Sequence, residues 1–125
     1  MKFRSARHTN NLEPLIAFYT QILNLDVLGS FKDHDGYDGV FFGKRNQDWH
    51  LEFTKSSTLV KQIYNPDDIL VFYPDNINEY DEIIRRIIKY GIEPIIPVNP
   101  YWRDHGVMIK DPDGYHVVIS KENVN

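Results

Sequence analysis

The feature that most constrains this chain is a supersecondary pattern that occurs twice along it. Residues 11–24 carry Leu12, Leu15, Ile16, Tyr19, Ile22 and Leu23 at helical spacing, with Asn11 as N-cap and Pro14 in the first turn, where its missing N–H costs little. Residues 76–90 repeat the theme with Tyr80, Ile83, Ile84, Ile87 and Ile88 on one face. Acidic side chains come early and basic ones late, and Gly91 is a natural stop. One strand-like segment precedes each helix, at 3–9 and 68–74, and three follow it, at 26–32, 39–43 and 49–54, then at 93–98, 106–110 and 115–120. Ile83 follows Leu15 by 68 positions and Gly91 follows Asn24 by 67, so the offset is nearly constant. The pattern predicts an α+β fold of two βαβββ modules in a single domain over 1–125. Module 1 covers about 1–54, module 2 about 67–125, and the polar stretch 55–66 links them. Neither module can bury a helix stripe and a sheet face alone, so the two modules, or a pair of chains, must pack together; the expectation is a curved mixed sheet with a concave cup and helices on the outer face.

Alternation within the strands says which side chains share a side. In 49–54, Trp49, Leu51 and Phe53 point toward the helix, while His50, Glu52 and Thr54 point to a polar, concave cup. Arg4, Ala6 and His8 share one face of the first strand, and His116, Val118 and Ser120 share one face of the last. His8, His50 and His116 therefore fall on the cup side. They read as neutral hydrogen-bonding pocket wall, as a metal cluster, or as ordinary edge residues; no H-x-H, H-x-x-x-H or H-E-x-x-H spacing is present.

Composition removes several function classes. The absence of cysteine excludes disulfide scaffolds, thiol nucleophiles, Fe–S clusters and Cys-based zinc sites. The net charge is −4 with no basic stripe, which argues against nucleic acid as partner. No apolar run approaches the roughly 20 residues of a membrane span, and residues 1–5 lack the apolar stretch of a signal peptide, so the expected location is the cytoplasm. Asp33, Asp35 and Asp38 do not make an EF-hand: counted from Asp33, glycine falls at position 4 and Lys44 at position 12. Nucleophile elbows, P-loops and dinucleotide glycine motifs are absent.

Three further stretches carry a resemblance. Phe18-Tyr19-Thr20-Gln21-Ile22-Leu23-Asn24-Leu25, His50-Leu51-Glu52-Phe53 and Asp111-Pro112-Asp113-Gly114-Tyr115 occur in order inside the duplicated pattern. Together they resemble the vicinal oxygen chelate superfamily, the fold of glyoxalases, bleomycin resistance proteins and extradiol dioxygenases, over nearly the whole chain. With His34-Asp35-Gly36-Tyr37-Asp38-Gly39 and Asn99-Pro100-Tyr101-Trp102, the chain looks closest to a small bacterial branch called YycE-like.

The resemblance implies a divalent metal held at four strand positions, which carry over here to Arg4, Glu52, Ile69 (or Asp68 if the register slips by one) and Val118. Glu52 is the one clear match. Arginine offers only donors and valine no donor atom, so the ligand set does not suit a metal, and no cofactor is expected. Arg4 either pairs with Glu52 or extends to solvent. Tyr101 and Trp102, in the connection before the seventh strand, either stack on a ligand or close the core or a dimer contact. The expected function is metal-independent binding of a small organic molecule by a homodimer, with Arg4, His8, Tyr37, His50, Glu52, Tyr101, Trp102 and His116 as candidate ligand-binding residues. The alternatives are a metal-dependent lyase, dioxygenase or thiol transferase with an unusual ligand set, and an interaction module with no small ligand.

Overall fold

The computed structural model describes residues 1–122 and 124. Its elements run β1 (Phe3–His8), α1 (Leu12–Ala17), a π-helical turn (Phe18–Ile22), β2 (Asp26–His34), β3 (Tyr37–Gly43), β4 (Trp49–Lys55), β5 (Ile69–Phe72), α2 (Ile77–Lys89), α3 (Pro100–His105), β6 (Gly106–Lys110) and β7 (His116–Ser120). The chain divides into two compact units, Met1–Gln62 and Ile63–Asn125, each with its own mixed sheet.

In the N-terminal unit the sheet order is β1-β4-β3-β2, with β1 parallel to β4 and the other neighbours antiparallel. Asn11 caps α1 by accepting the Glu13 N–H at 3.2 Å. The expected single helix over 11–24 is instead α1 followed by a π turn. Leu15, Phe18, Tyr19, Ile22 and Leu23, at i, i+3, i+4, i+7 and i+8, are all buried along it. Tyr19 lies against Phe42 (5.8 Å between centroids) and Phe53 (5.1 Å). Each ring removes about 150–250 Å² from water, roughly 4–6 kcal/mol gross before entropy. Asn24, at φ 56°, ends the helical segment. β2 turns into β3 through Asp35-Gly36, both at positive φ, which is the backbone a two-residue hairpin loop requires.

In the C-terminal unit the order is β5-β7-β6, with β5 parallel to β7 and β6 antiparallel to it. This repeats β1-β4-β3 with the outer strand missing. The strand expected at 93–98 is reduced to one bridge, in which Ile95 N–H donates to the Met108 carbonyl at 2.9 Å. Pro94 and Pro97 flank that bridge and have no N–H to extend a ladder. The described residues thus form seven strands rather than the eight expected. Asn76 caps α2 on the Glu79 N–H (2.9 Å), and α2 buries Ile83 and Ile87.

The connection expected before β6 also differs. Residues 100–105 form α3, because Asn99 accepts the Tyr101 N–H at 3.0 Å and Pro100 occupies the first turn. Before β7, Asp111 organises the turn by accepting N–H groups of Asp113 (2.9 Å) and Tyr115 (3.1 Å), and Gly114 sits at φ +94° beneath the Tyr64 ring. No helix among the described residues is long and apolar enough to cross a membrane.

Candidate functional site

Strand register lays out the polar face of the N-terminal sheet in three rows. Arg4 pairs with His50, and His50 with Gly43; Ala6 pairs with Glu52, and Glu52 with Phe41; His8 pairs with Thr54, and Thr54 with Gly39. Direct cross-strand partners project to the same side. Arg4, His8, His50 and Glu52 therefore share one face, opposite the Phe42–Phe53 face that packs on Tyr19.

The two charged members meet. Arg4 Nε lies 3.6 Å from Glu52 Oε1, an ion pair longer than a hydrogen bond. The Arg4 side chain is 54% exposed and that of Glu52 only 11%. The exposure of Arg4 limits the pair to at most about 1 kcal/mol of stability. Of the two readings left open for Arg4, both are in part realised: it reaches solvent and it stands beside Glu52.

At the other end of the face His8 is held by hydroxyls on both nitrogens, Nδ1 to Thr54 Oγ1 at 2.7 Å and Nε2 to Ser56 Oγ at 3.1 Å. Tyr37, 47% exposed, meets the His8 ring edge-on at 5.6 Å. His50 meets the Phe41 ring edge-on at 5.5 Å. Gln62 Nε2 donates to the His8 carbonyl at 2.9 Å, and Asn10 exchanges two 2.8 Å hydrogen bonds with the Val60 backbone. The segment after β4 is thereby tied along the end of β1.

The same register in the C-terminal unit identifies the counterparts. Ile69 pairs with His116 as Arg4 does with His50, and Val118 lies two residues beyond His116 as Glu52 does beyond His50. Ile69, not Asp68, is therefore the fifth-strand position. Val118 is fully buried and forms a core cluster with Met108 and Trp102, flanked by Ile69, Val71 and Ile95. Trp102 is only 8% exposed, and of the two readings left open for it this burial is that of core closure: it lies on the helix α3 rather than on a loop, and its indole packs on Val118. Tyr101 remains 46% exposed and stacks on His105 at 4.1 Å. His116 is buried, with Nδ1 3.0 Å from the Pro66 carbonyl and its ring 5.7 Å from Tyr64.

Of the four superfamily ligand positions, then, one carries a carboxylate, one a guanidinium and two carry aliphatic side chains. That donor set does not fit a divalent metal, which needs several oxygen or nitrogen ligands. Among the described residues no group of three or more His, Cys, Asp or Glu side chains is placed to hold one.

The chain matches the YycE-like N-terminal domain over residues 3–54 and the YycE-like C-terminal domain over residues 67–121. The chain belongs to the YycE-like family. It is 41% identical over 119 residues to YycE of Bacillus subtilis, covering 94% of this chain and 86% of that one. The crystal structure of YycE from Bacillus subtilis superposes with a TM-score of 0.87 at 39% identity, over 97% of this chain and 89% of that one. The trypanothione-dependent glyoxalase I of Leishmania major shares the fold at a TM-score of 0.72 and 18% identity, over 95% of this chain and 84% of that one. The fosfomycin resistance protein FosX of Listeria monocytogenes does so at 0.64 and 19%, over 94% and 87%. The YycE-like chain therefore has the vicinal oxygen chelate fold.

Sequence reasoning placed Thr54 on the YycE-like polar face without counting it among the site residues, and passed over Phe41 and Ser56. Thr54 was legible as the next alternate residue after His50 and Glu52. Phe41 had a weaker signal: Phe41 and Phe42 are adjacent in a strand, so one of them must leave the core side. Ser56 had none, since it follows β4 and reaches His8 only through the turn of the chain after that strand.

Proposed function

We propose that this YycE-like protein binds a small organic molecule without a divalent metal, and that the ligand lies on the Arg4–Glu52 face. Arg4, His8, Tyr37, His50 and Glu52 supply its contacts. The observation that carries this reading is the ion pair itself. Arg4 brings a permanent positive charge within 3.6 Å of the one carboxylate that a cation would need. A divalent ion beside it would meet charge repulsion of several kcal/mol at intermediate dielectric, with a single anionic ligand to offset its dehydration. Polar groups and aromatic edges on one sheet face are, in contrast, ordinary material for orienting a small organic ligand. The names of the fold neighbours, a glyoxalase and a fosfomycin resistance protein, are those of proteins acting on small molecules and agree with that class.

The test is elemental analysis after purification without chelator, with calorimetric titration of zinc, nickel, manganese and iron(II). The expected result is no stoichiometric metal and no saturable heat. Near-stoichiometric metal that is lost on Glu52→Ala would overturn the proposal and favour a metal-dependent lyase, dioxygenase or thiol transferase. A thermal-shift screen then finds ligands, since one present at 100 times its Kd adds about 2.7 kcal/mol. The reading includes a cytoplasmic homodimer; light scattering that returns a monomer across a wide concentration range would remove the dimer from it.

A further inference from the structure

We infer that the Arg4–Glu52 pair recognises a small molecule carrying an oxyanion next to a hydrogen-bond donor, the donor being a hydroxyl or an ammonium group. The inference rests on the binding reading above and names the ligand class. Two observations on the pair support it, one for each half of such a ligand.

The first concerns Arg4. Its Nε faces Glu52, and among the described residues its two terminal nitrogens have no partner, while half of the side chain is open to solvent. A guanidinium in that state presents a planar fork that fits two oxygens of a carboxylate, phosphate or phosphonate. The second concerns Glu52. Its side chain is about nine-tenths buried, yet no hydrogen bond from a described residue reaches its carboxylate, and its one ion-pair contact is longer than a hydrogen bond. The carboxylate accepts up to four hydrogen bonds and keeps some access to water, so a ligand donor can take the place of water on it. A hydroxyl or ammonium group supplies that donor.

The neighbours shape the approach. The cross-strand partner of Glu52 on β1 is Ala6, exposed and no larger than a methyl group. Its partner on β3 is Phe41, an apolar wall closed by the edge of His50. The donor therefore reaches Glu52 from the Ala6 side, next to Arg4. With one positive and one negative side chain, the pair complements a ligand whose own polar ends are of opposite character and rejects one with a single charge and no donor.

The experiment uses four probes of similar size on the full chain: lactate, alanine, propionate and 1,2-propanediol. The readout is the NMR shift of the Arg4 Nε–H and of the backbone amides of β1 and β4. Lactate or alanine is expected to move the Arg4 signal and to bind about tenfold more tightly than propionate, the factor one charge-assisted hydrogen bond contributes. The tighter of the two identifies the donor, and inorganic phosphate in competition separates a carboxylate site from a phosphate site. Arg4→Gln, at an exposed position that does not threaten folding, is expected to abolish binding, and Arg4→Lys to restore part of it. Glu52→Gln is expected to bring the preferred probe down to the level of propionate. The inference is overturned if no probe moves the Arg4 signal, or if 1,2-propanediol binds as tightly as lactate. A neutral aromatic compound that shifts the amides of His8, Tyr37 and His50 with equal affinity in wild type and Arg4→Gln also overturns it, while leaving the binding reading intact. If neither the probes nor such compounds perturb this face, both fall.

Discussion

Trp102→Ala separates a core tryptophan from a ligand platform. The indole is 8% exposed and packs on Met108 and Val118, with Ile69, Val71 and Ile95 around them. About 200 Å² of ring surface is out of water, which at roughly 25 cal/mol/Å² is about 5 kcal/mol gross. Alanine keeps a fraction of that burial, and the cavity left among aliphatic neighbours adds a cost, so a loss of about 3–5 kcal/mol is expected. For 125 residues at roughly 2.1 cal/mol/K each, the unfolding entropy near Tm is about 0.26 kcal/mol/K, and a loss of 4 kcal/mol lowers Tm by about 15 °C. Urea unfolding followed by circular dichroism measures it, with Tyr101→Ala as the control. Tyr101 is half exposed and stacked on His105, and its removal is expected to cost about 1 kcal/mol or less. A Trp102→Ala loss below about 1 kcal/mol, with a binding defect on the Arg4–Glu52 face, would refute the core assignment.

Three other outcomes follow from particular contacts. Gly114→Ala places a Cβ 3.0 Å from Tyr64 Cε1 at a φ of +94°, so a loss of about 1–3 kcal/mol is expected in urea unfolding, while Gly91→Ala, at φ +69° with nothing near, is expected to lose less. Asn76→Ala removes the acceptor of the Glu79 N–H and is expected to cost about 1 kcal/mol in the same assay. Burial of Tyr80, followed by the charge of Asp81, raises its pKa above 10.0. The folded state then holds that proton where the unfolded chain has released it, so stability falls as pH rises past about 10. Tyr80→Phe is expected to flatten that part of the pH profile, and an unchanged slope would refute the assignment.

Most of the fold was legible because two local signals agreed along the chain: helical period in two segments and alternation in the strands around them. What the sequence concealed was local competition between those signals and the backbone. At 93–98 the apolar residues read as a strand, but Pro94 and Pro97 withhold two ladder donors and leave a single bridge at Ile95. At 18–22 the apolar spacing is that of an ordinary α-helix, so period alone carried no sign of the π turn. At 99–105 the Asn-Pro start of a helix was present in the sequence, yet six residues are too few for period to show. Within the candidate site, alternation grouped Arg4 with Ala6 and His8 and Glu52 with His50 and Thr54, and the family resemblance brought Arg4 and Glu52 to one face. Alternation could not say that Trp102 would turn inward, because the direction of a side chain on a one-and-a-half-turn helix depends on where the strand after it begins.

The two halves of the duplication differ at the face proposed to hold the ligand, and connection length accounts for the difference. In the N-terminal unit the chain passes from β2 to β3 through Asp35-Gly36 alone, a turn too short to carry a side chain back over the sheet. In the C-terminal unit the equivalent connection, ahead of β6, holds α3, and Trp102 from that helix lies against Val118. A carboxylate in the place of Val118, among Met108, Ile69, Val71 and Ile95, would lose its water at a cost of several kcal/mol, and an aliphatic side chain avoids that cost. The converse holds for Glu52: its carboxylate keeps some access to water, and no helix of its own unit intervenes between β2 and β3 to cover it. Val118 goes with Trp102, and Glu52 goes with Arg4. The pairing of face chemistry with connection length gives the C-terminal sheet face to packing and leaves the N-terminal one open for the recognition proposed above.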